Sequence, residues 1–123
     1  MAAAELDIYI EQGSRFFRTY KFSIGGVAVD LTGFTFRGQI RSTQNSATII
    51  ASFVFTILNQ GTNPGEVTCS LSDTVTAAIA VPTSTTACRK SAKYIYDMEY
   101  VDTLGDVKRF FQGIAEVSPE VTR

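Results

Sequence analysis

A chain of 123 residues is the size of one domain, and with 45% hydrophobic and 11% aromatic residues it is neither disordered nor collagenous. The formal charge is −1, from 11 basic and 12 acidic residues with no long run of either sign, so the basic footprint of a nucleic-acid binder is missing. Histidine is absent, which removes Ser/His and Cys/His nucleophilic systems and the commonest metal ligand together.

The opening MAAAELD lacks the basic start and apolar run of a secretory signal, so no classical export route is expected. Leu6, Ile8 and Ile10 alternate and predict a first strand, which Gly13 and Ser14 end. In the next run, 15–24, Phe16, Tyr20, Phe22 and Ile24 share a face that Arg18 interrupts. Gly25 and Gly26 then offer the positive φ angles of a tight hairpin turn into a short strand VAVD. Asp30, Thr32 and Gly33 form a second turn signal. The strand that follows, 34–41, points Phe34, Phe36 and Ile40 inward and Thr35, Arg37, Gln39 and Arg41 to the other face.

Residues 42–48 read as an exposed polar loop, and TIIASFVFTI as a strand apolar on both faces and so covered on both. The nearly apolar run 47–58 is 12 residues, whereas a membrane helix needs about 20; no membrane partner is expected. The stretch 59–65 is dense in turn formers, and Val67, Cys69 and Leu71 alternate along a sixth strand. From Ser72 to Pro82 the period changes to that of a short helix, with Ser72 or Asp73 as cap. Residues 83–91 carry no periodicity and read as a mobile loop.

From Ala92 the chain alternates again, placing Tyr94, Tyr96, Met98 and Tyr100 on one face and Ile95, Asp97, Glu99 and Val101 on the other. Gly105 turns it into a last strand, 107–118, whose ladder Pro119 ends because proline has no amide hydrogen. Phe110 and Phe111 are adjacent, so regular alternation sends one of them outward, as it does Phe17 beside Phe16. Those outward rings point to an oligomer or a larger assembly. Seven to eight short strands and one short helix describe an all-β, two-sheet antiparallel sandwich in a single domain 1–123, with residues 1–5 and 119–123 as flexible or partner-ordered ends.

Two cysteines, Cys69 and Cys88, are too few for a disulfide scaffold or a four-ligand zinc site, and without a signal they are expected reduced. Asp97 and Glu99, with Asp102 and Asp106 near the next turn, admit acid–base chemistry or calcium binding, or else a solvated face balancing Arg37, Arg41, Lys108 and Arg109. The tyrosine row Tyr94, Tyr96 and Tyr100 reads as a core wall ahead of a binding surface. No catalytic, cofactor or metal residue is assigned.

Five segments together carry a resemblance: IEQGSRFFRTYKFS at 10–23, GGVAVDLTGFTFRGQIR at 25–41, GEVTCSLSDTVTAAI at 65–79, YIYDMEYVDTLGDVKRFFQG at 94–113 and VSPEVTR at 117–123. In their order and spacing they resemble small structural proteins of tailed bacteriophages, namely the N-terminal domain of baseplate upper proteins and tail-fibre attachment proteins. The resemblance implies an immunoglobulin-like β-sandwich that docks to other virion proteins at the baseplate or fibre attachment region, without catalysis, cofactor or small-molecule substrate. A station in the virion, reached from the host cytoplasm, and a homo-oligomeric or multi-copy assembly follow from the same likeness. Thr35, Arg37, Gln39 and Arg41 then become a face for a neighbouring subunit, with Phe17, Phe110 and the tail residue Val121 as further contacts. Two other readings stand beside it: a capsid decoration or cement protein, and a carbohydrate-binding domain built on Asp97, Glu99 and the tyrosines.

Overall fold

The computed structural model describes residues 3–81 and 91–121. Its elements in chain order are β1 (Ala4–Glu5), β2 (Ile8–Glu11), β3 (Phe16–Lys21), β4 (Ser23–Ile24), β5 (Val27–Ala28), β6 (Thr35–Arg41), β7 (Ala51–Ser52), β8 (Val54–Ile57), β9 (Glu66–Leu71), α1 (Asp73–Ala77), β10 (Ala92–Val101) and β11 (Val107–Ser118). One sheet runs β1-β11-β10-β6-β7, with β2 also on β11, and the second runs β3-β9-β8. The protein is an all-β sandwich with one short helix, and its strand order is that of an immunoglobulin-like fold with both halves of the first strand moved onto the last. Those two pieces, β1 and β2, run parallel to β11, while the other pairings are antiparallel.

More strands appear than the seven to eight expected because several runs break. Residues 48–57 do not form one strand covered on both faces: Ala51 and Ser52 pair with β6, Phe53 bonds Gly38, and Val54 to Ile57 cross to pair with β9. The chain changes sheets at buried Phe53, and this leaves Val54 61% exposed on the outside of the second sheet. The Gly25 and Gly26 turn forms as read, with φ of +57° and +82°, and closes the two-residue ribbon β4-β5. Ser72 caps α1 by accepting from the Val75 amide at 3.2 Å. The 83–91 loop falls almost wholly outside the described residues, as does Cys88; Cys69 is a buried free thiol.

The core fills the space between the sheets with Ile8, Ile10, Phe16, Ile40, Phe53, Cys69, Leu71, Met98, Ala115 and Val117. At one end of the sandwich Phe22, Phe34, Phe36, Tyr100 and Phe110 form a half-buried aromatic cluster with ring centroids 5.1 to 6.4 Å apart. At the other, Tyr94 near the start of β10 donates its hydroxyl back to the Ala80 carbonyl and so ties the segment after α1 to that strand. Buried Thr76 accepts from the Gly13 amide and donates to the Ser14 carbonyl, so the helix also holds the β2-β3 turn. Gln12 in that turn donates to Ile79 and accepts from the Glu120 amide. The chain end is thereby held as far as Glu120, with Val121 67% exposed beyond it. At the other terminus Gln112 donates to the Glu5 carboxylate.

The expectation for Phe110 is corrected. The pairing of β10 with β11 slips by one residue between Met98, opposite Phe111, and Glu99, opposite Arg109. Phe110 is the extra residue of this β-bulge, and a bulge turns its neighbouring side chains to one side. Both rings consequently pack on Tyr20, at 6.3 and 5.1 Å, and on each other at 5.3 Å. Phe110 therefore lies half-buried on the inner side of its strand, packed against the core, whereas regular alternation would send one of the two rings outward.

Two buried phenols differ in one respect. The Tyr96 hydroxyl donates to the Leu6 carbonyl, whereas that of Tyr20 is buried with no hydrogen-bond partner among the described residues. Tyr20→Phe is therefore expected to leave stability unchanged or raise it by up to about 1 kcal/mol, and Tyr96→Phe to lower it by about 1 kcal/mol. Urea midpoints of the two variants check this, and the opposite order contradicts it.

Desolvation pushes the Tyr20 hydroxyl from its usual 10.0 to about 12 and the Cys69 thiol from 9.0 to about 12, and it raises Tyr96 as well. The unfolded chain loses these protons first, so between pH 9 and 12 the native state binds more of them and stability falls as pH rises. Denaturant midpoints measured across this window should decline steadily; a flat profile would show that the phenols and thiol reach solvent. At about pH 8 the peptide containing Cys69 should resist alkylation in the folded protein and react once it is unfolded.

Candidate functional face

The outer face of the larger sheet is built row by row from the strand register. Val107, Val101 and Thr35 form the first row across β11, β10 and β6. The second is Arg109, Glu99 and Arg37. The third crosses five strands as Glu5, Gln112, Asp97, Gln39 and Ser52. Ile114, Ile95 and Arg41 make the fourth.

Within this face the side chains are tied crosswise. Arg37 pairs with Glu99, and the Arg109 Nε lies 3.3 Å from Asp97 Oδ2. Arg109 also donates to Gln112 at 3.0 Å, and Gln112 to Glu5 at 2.7 Å. Arg41 donates to Gln39 and to the Ser46 carbonyl, each at 2.8 Å, which anchors the 42–48 segment at the rim. The centre of the face is a shallow concavity of about 810 Å³ lined by Glu5, Gln39, Arg41, Gln44, Asp97, Arg109 and Gln112 among others. Two opposite-charge pairs form here, Arg37–Glu99 and Arg109–Asp97, while Arg41 and Glu5 are held by amide and carbonyl groups; such solvated pairs contribute little stability, about 0 to 1 kcal/mol each.

Thr35, Arg37, Gln39 and Arg41 lie together on this face, as their alternation requires. Phe17 does not join them. It is 41% exposed on the outside of the other sheet, in a row with Ser70 and Val54, with the Arg15 guanidinium 4.3 Å above its ring. Val121 lies apart at the chain end.

Asp97 and Glu99 face outward, whereas Tyr96 is buried and Tyr94 and Tyr100 pack inward. Asp97 and Glu99 thus lie on the opposite face of β10 from the rings of Tyr94 and Tyr100, and Tyr96, which borders the concavity, is 4% exposed. Among the described residues no group of three or more His, Cys, Asp or Glu is placed to hold a metal ion, and no helix among them is long and apolar enough to cross a membrane.

Sequence reasoning missed Glu5 and Gln112 as members of the face. A two-residue strand paired in parallel to the far end of the chain leaves no local pattern, and Glu5 acquires its place only through that pairing.

No family model matches the chain, and no curated protein matches it in sequence. Among solved structures, the crystal structure of CopC from Methylosinus trichosporium OB3b superposes over all of this chain and 90% of that one, with a TM-score of 0.41 and 13% identity. A likeness of that size is too low to carry a ligand or a role from one chain to the other.

Proposed function

We propose that the chain is a non-catalytic structural protein of a tailed-phage virion, a tail baseplate or fibre-attachment component that docks to other virion proteins through the outer face of its larger sheet. The carrying observation is the make-up of that face. Two partly apolar rows, Val107 and Val101 with Thr35 and Ile114 and Ile95 with Arg41, in which Val107 is 51% and Ile114 40% exposed, bracket a central band of arginines, carboxylates and amides tied to one another. Arginine-rich polar groups held in fixed positions beside apolar strips suit protein recognition. The five-segment likeness to phage structural proteins gives the partner class.

Geometry bears on the partner. The outward residues of the central strand β10 include Asp97 and Glu99, so a two-fold axis through that strand would set acid against acid. A different chain, not a second copy, is the occupant this charge pattern favours. From strand spacing the four rows cover roughly 400 Å², about half of the ~800 Å² that each partner contributes to a standard interface. Docking through this face is therefore of the weak kind that repeats in a multi-copy assembly make durable.

Val107→Lys and Ile114→Lys place charges on the exposed apolar residues of the two outer rows without touching the core. Each is expected to change stability by less than about 0.5 kcal/mol, and the double variant to reduce incorporation into purified particles by about tenfold, equivalent to about 1.4 kcal/mol. Quantitative mass spectrometry of particles reads this out. Wild-type protein found only in lysate and never in particles would sink the reading, and a copy number equal to that of the capsid subunit would move the protein from tail to capsid surface.

A further inference from the structure

The smaller sheet has a free edge strand whose own charged side chains are all basic, with Glu66 of β9 opposite Lys21. β3 forms that edge, paired with β9 along its whole length and with nothing on its other side among the described residues. Phe22 donates to the Gly65 carbonyl on the β9 side. By alternation Phe16, Arg18 and Tyr20 bond β9, and the backbone groups of Phe17, Thr19 and Lys21 aim outward.

Arg15, Arg18 and Lys21 lie along this edge, and none of them is in a salt bridge among the described residues. Arg18 is opposite Cys69 and so starts on the inner side of the strand, yet its guanidinium sits 4.6 Å from the Phe16 ring centre and donates at 2.8 Å to the outward Phe17 carbonyl. An inward-starting charge that caps an edge carbonyl is a guard against indiscriminate strand addition. At the N-terminal end of β3 a cleft of about 200 Å³ opens toward β2, lined by Tyr9, Glu11, Ser14, Arg15, Phe16 and Arg18.

We propose that this edge takes an extended acidic segment of another protein as an added strand. Two copies of β3 paired with each other would double the three cations along one seam, and no acid on the strand relieves them. An acidic segment instead supplies carboxylates to Arg15 and Lys21 and draws Arg18 off the Phe17 carbonyl into a charge-assisted pair, which opens that acceptor to the incoming amide. Main-chain bonds provide the attachment, and the three cations provide the selection. The proposal concerns a different surface from the docking face and does not depend on the virion reading.

Amide exchange followed by NMR tests it on the intact chain. A blocked peptide of alternating Glu and Val should slow exchange at the Thr19 and Lys21 amides by about tenfold, and the corresponding Lys and Val peptide should not. The double variant Arg15→Glu with Lys21→Glu should reverse that preference, a result that misfolding cannot mimic. Unchanged exchange at both amides with the glutamate peptide overturns the proposal. So does equal protection by a single-stranded oligonucleotide, which would make the edge a general polyanion surface, or protection that rises with protein concentration alone, which would make a second copy the occupant.

Discussion

The register of β10 is the constraint on which the rest of the structure depends. This ten-residue strand is paired with β6 on one side and β11 on the other, and each of its residues serves one face only. A slip of one residue would send Asp97 and Glu99 into the space now filled by Tyr96 and Met98, 4% and 0% exposed, and bring the tyrosines out. Burying two carboxylates costs several kcal/mol apiece, so the core pattern fixes the outer pattern as well. The rows of the docking face inherit their order from side chains that never reach it.

The register holds because the chain breaks it at one chosen place. The bulge at Phe110 adds one residue to β11, which moves Arg109 opposite Glu99 and keeps Phe111 opposite Met98. Without it, Phe110 would stand in solvent and the aromatic cluster would lose the ring that touches Tyr20, Phe22, Phe36 and Tyr100. The same small device thus completes the core at one end of the sandwich and lines up an arginine row on its surface.

What the sequence makes legible follows from the range of each interaction. Alternation along β6, β9 and β10, the glycine turn at 25–26 and the Ser72 cap are set by neighbours a few residues apart, and each forms where the pattern places it. The bulge leaves no local mark, because FF reads as alternation unless the partner strand is known. The sheet change at Phe53 is hidden for a related reason: an apolar run looks the same whether one strand is covered twice or two short strands each face the core once. Of the face itself, the β6 side chains were legible, while Glu5 and Gln112 come from pairings between the two ends of the chain.

The two outer surfaces differ in a way that follows from how each sheet ends. The larger sheet finishes in short strands, β1 and β2 on one side and β7 on the other, of two, four and two residues, and its outer side chains are charged and cross-linked. The smaller sheet carries uncharged rows, Phe17, Ser70 and Val54 beside Thr19, Thr68 and Thr56, and leaves a six-residue strand at its edge. The basic charge of that sheet is gathered at the edge, where Arg15 and Arg18 lie over the rings of Phe17 and Phe16, while Glu66 of β9 stands opposite Lys21. Cations held over aromatic faces keep their charge available while losing little freedom when a carboxylate arrives. A surface that recognises by side chains and an edge that recognises by backbone thus lie on opposite sheets of one small sandwich, and a partner at one leaves the other open.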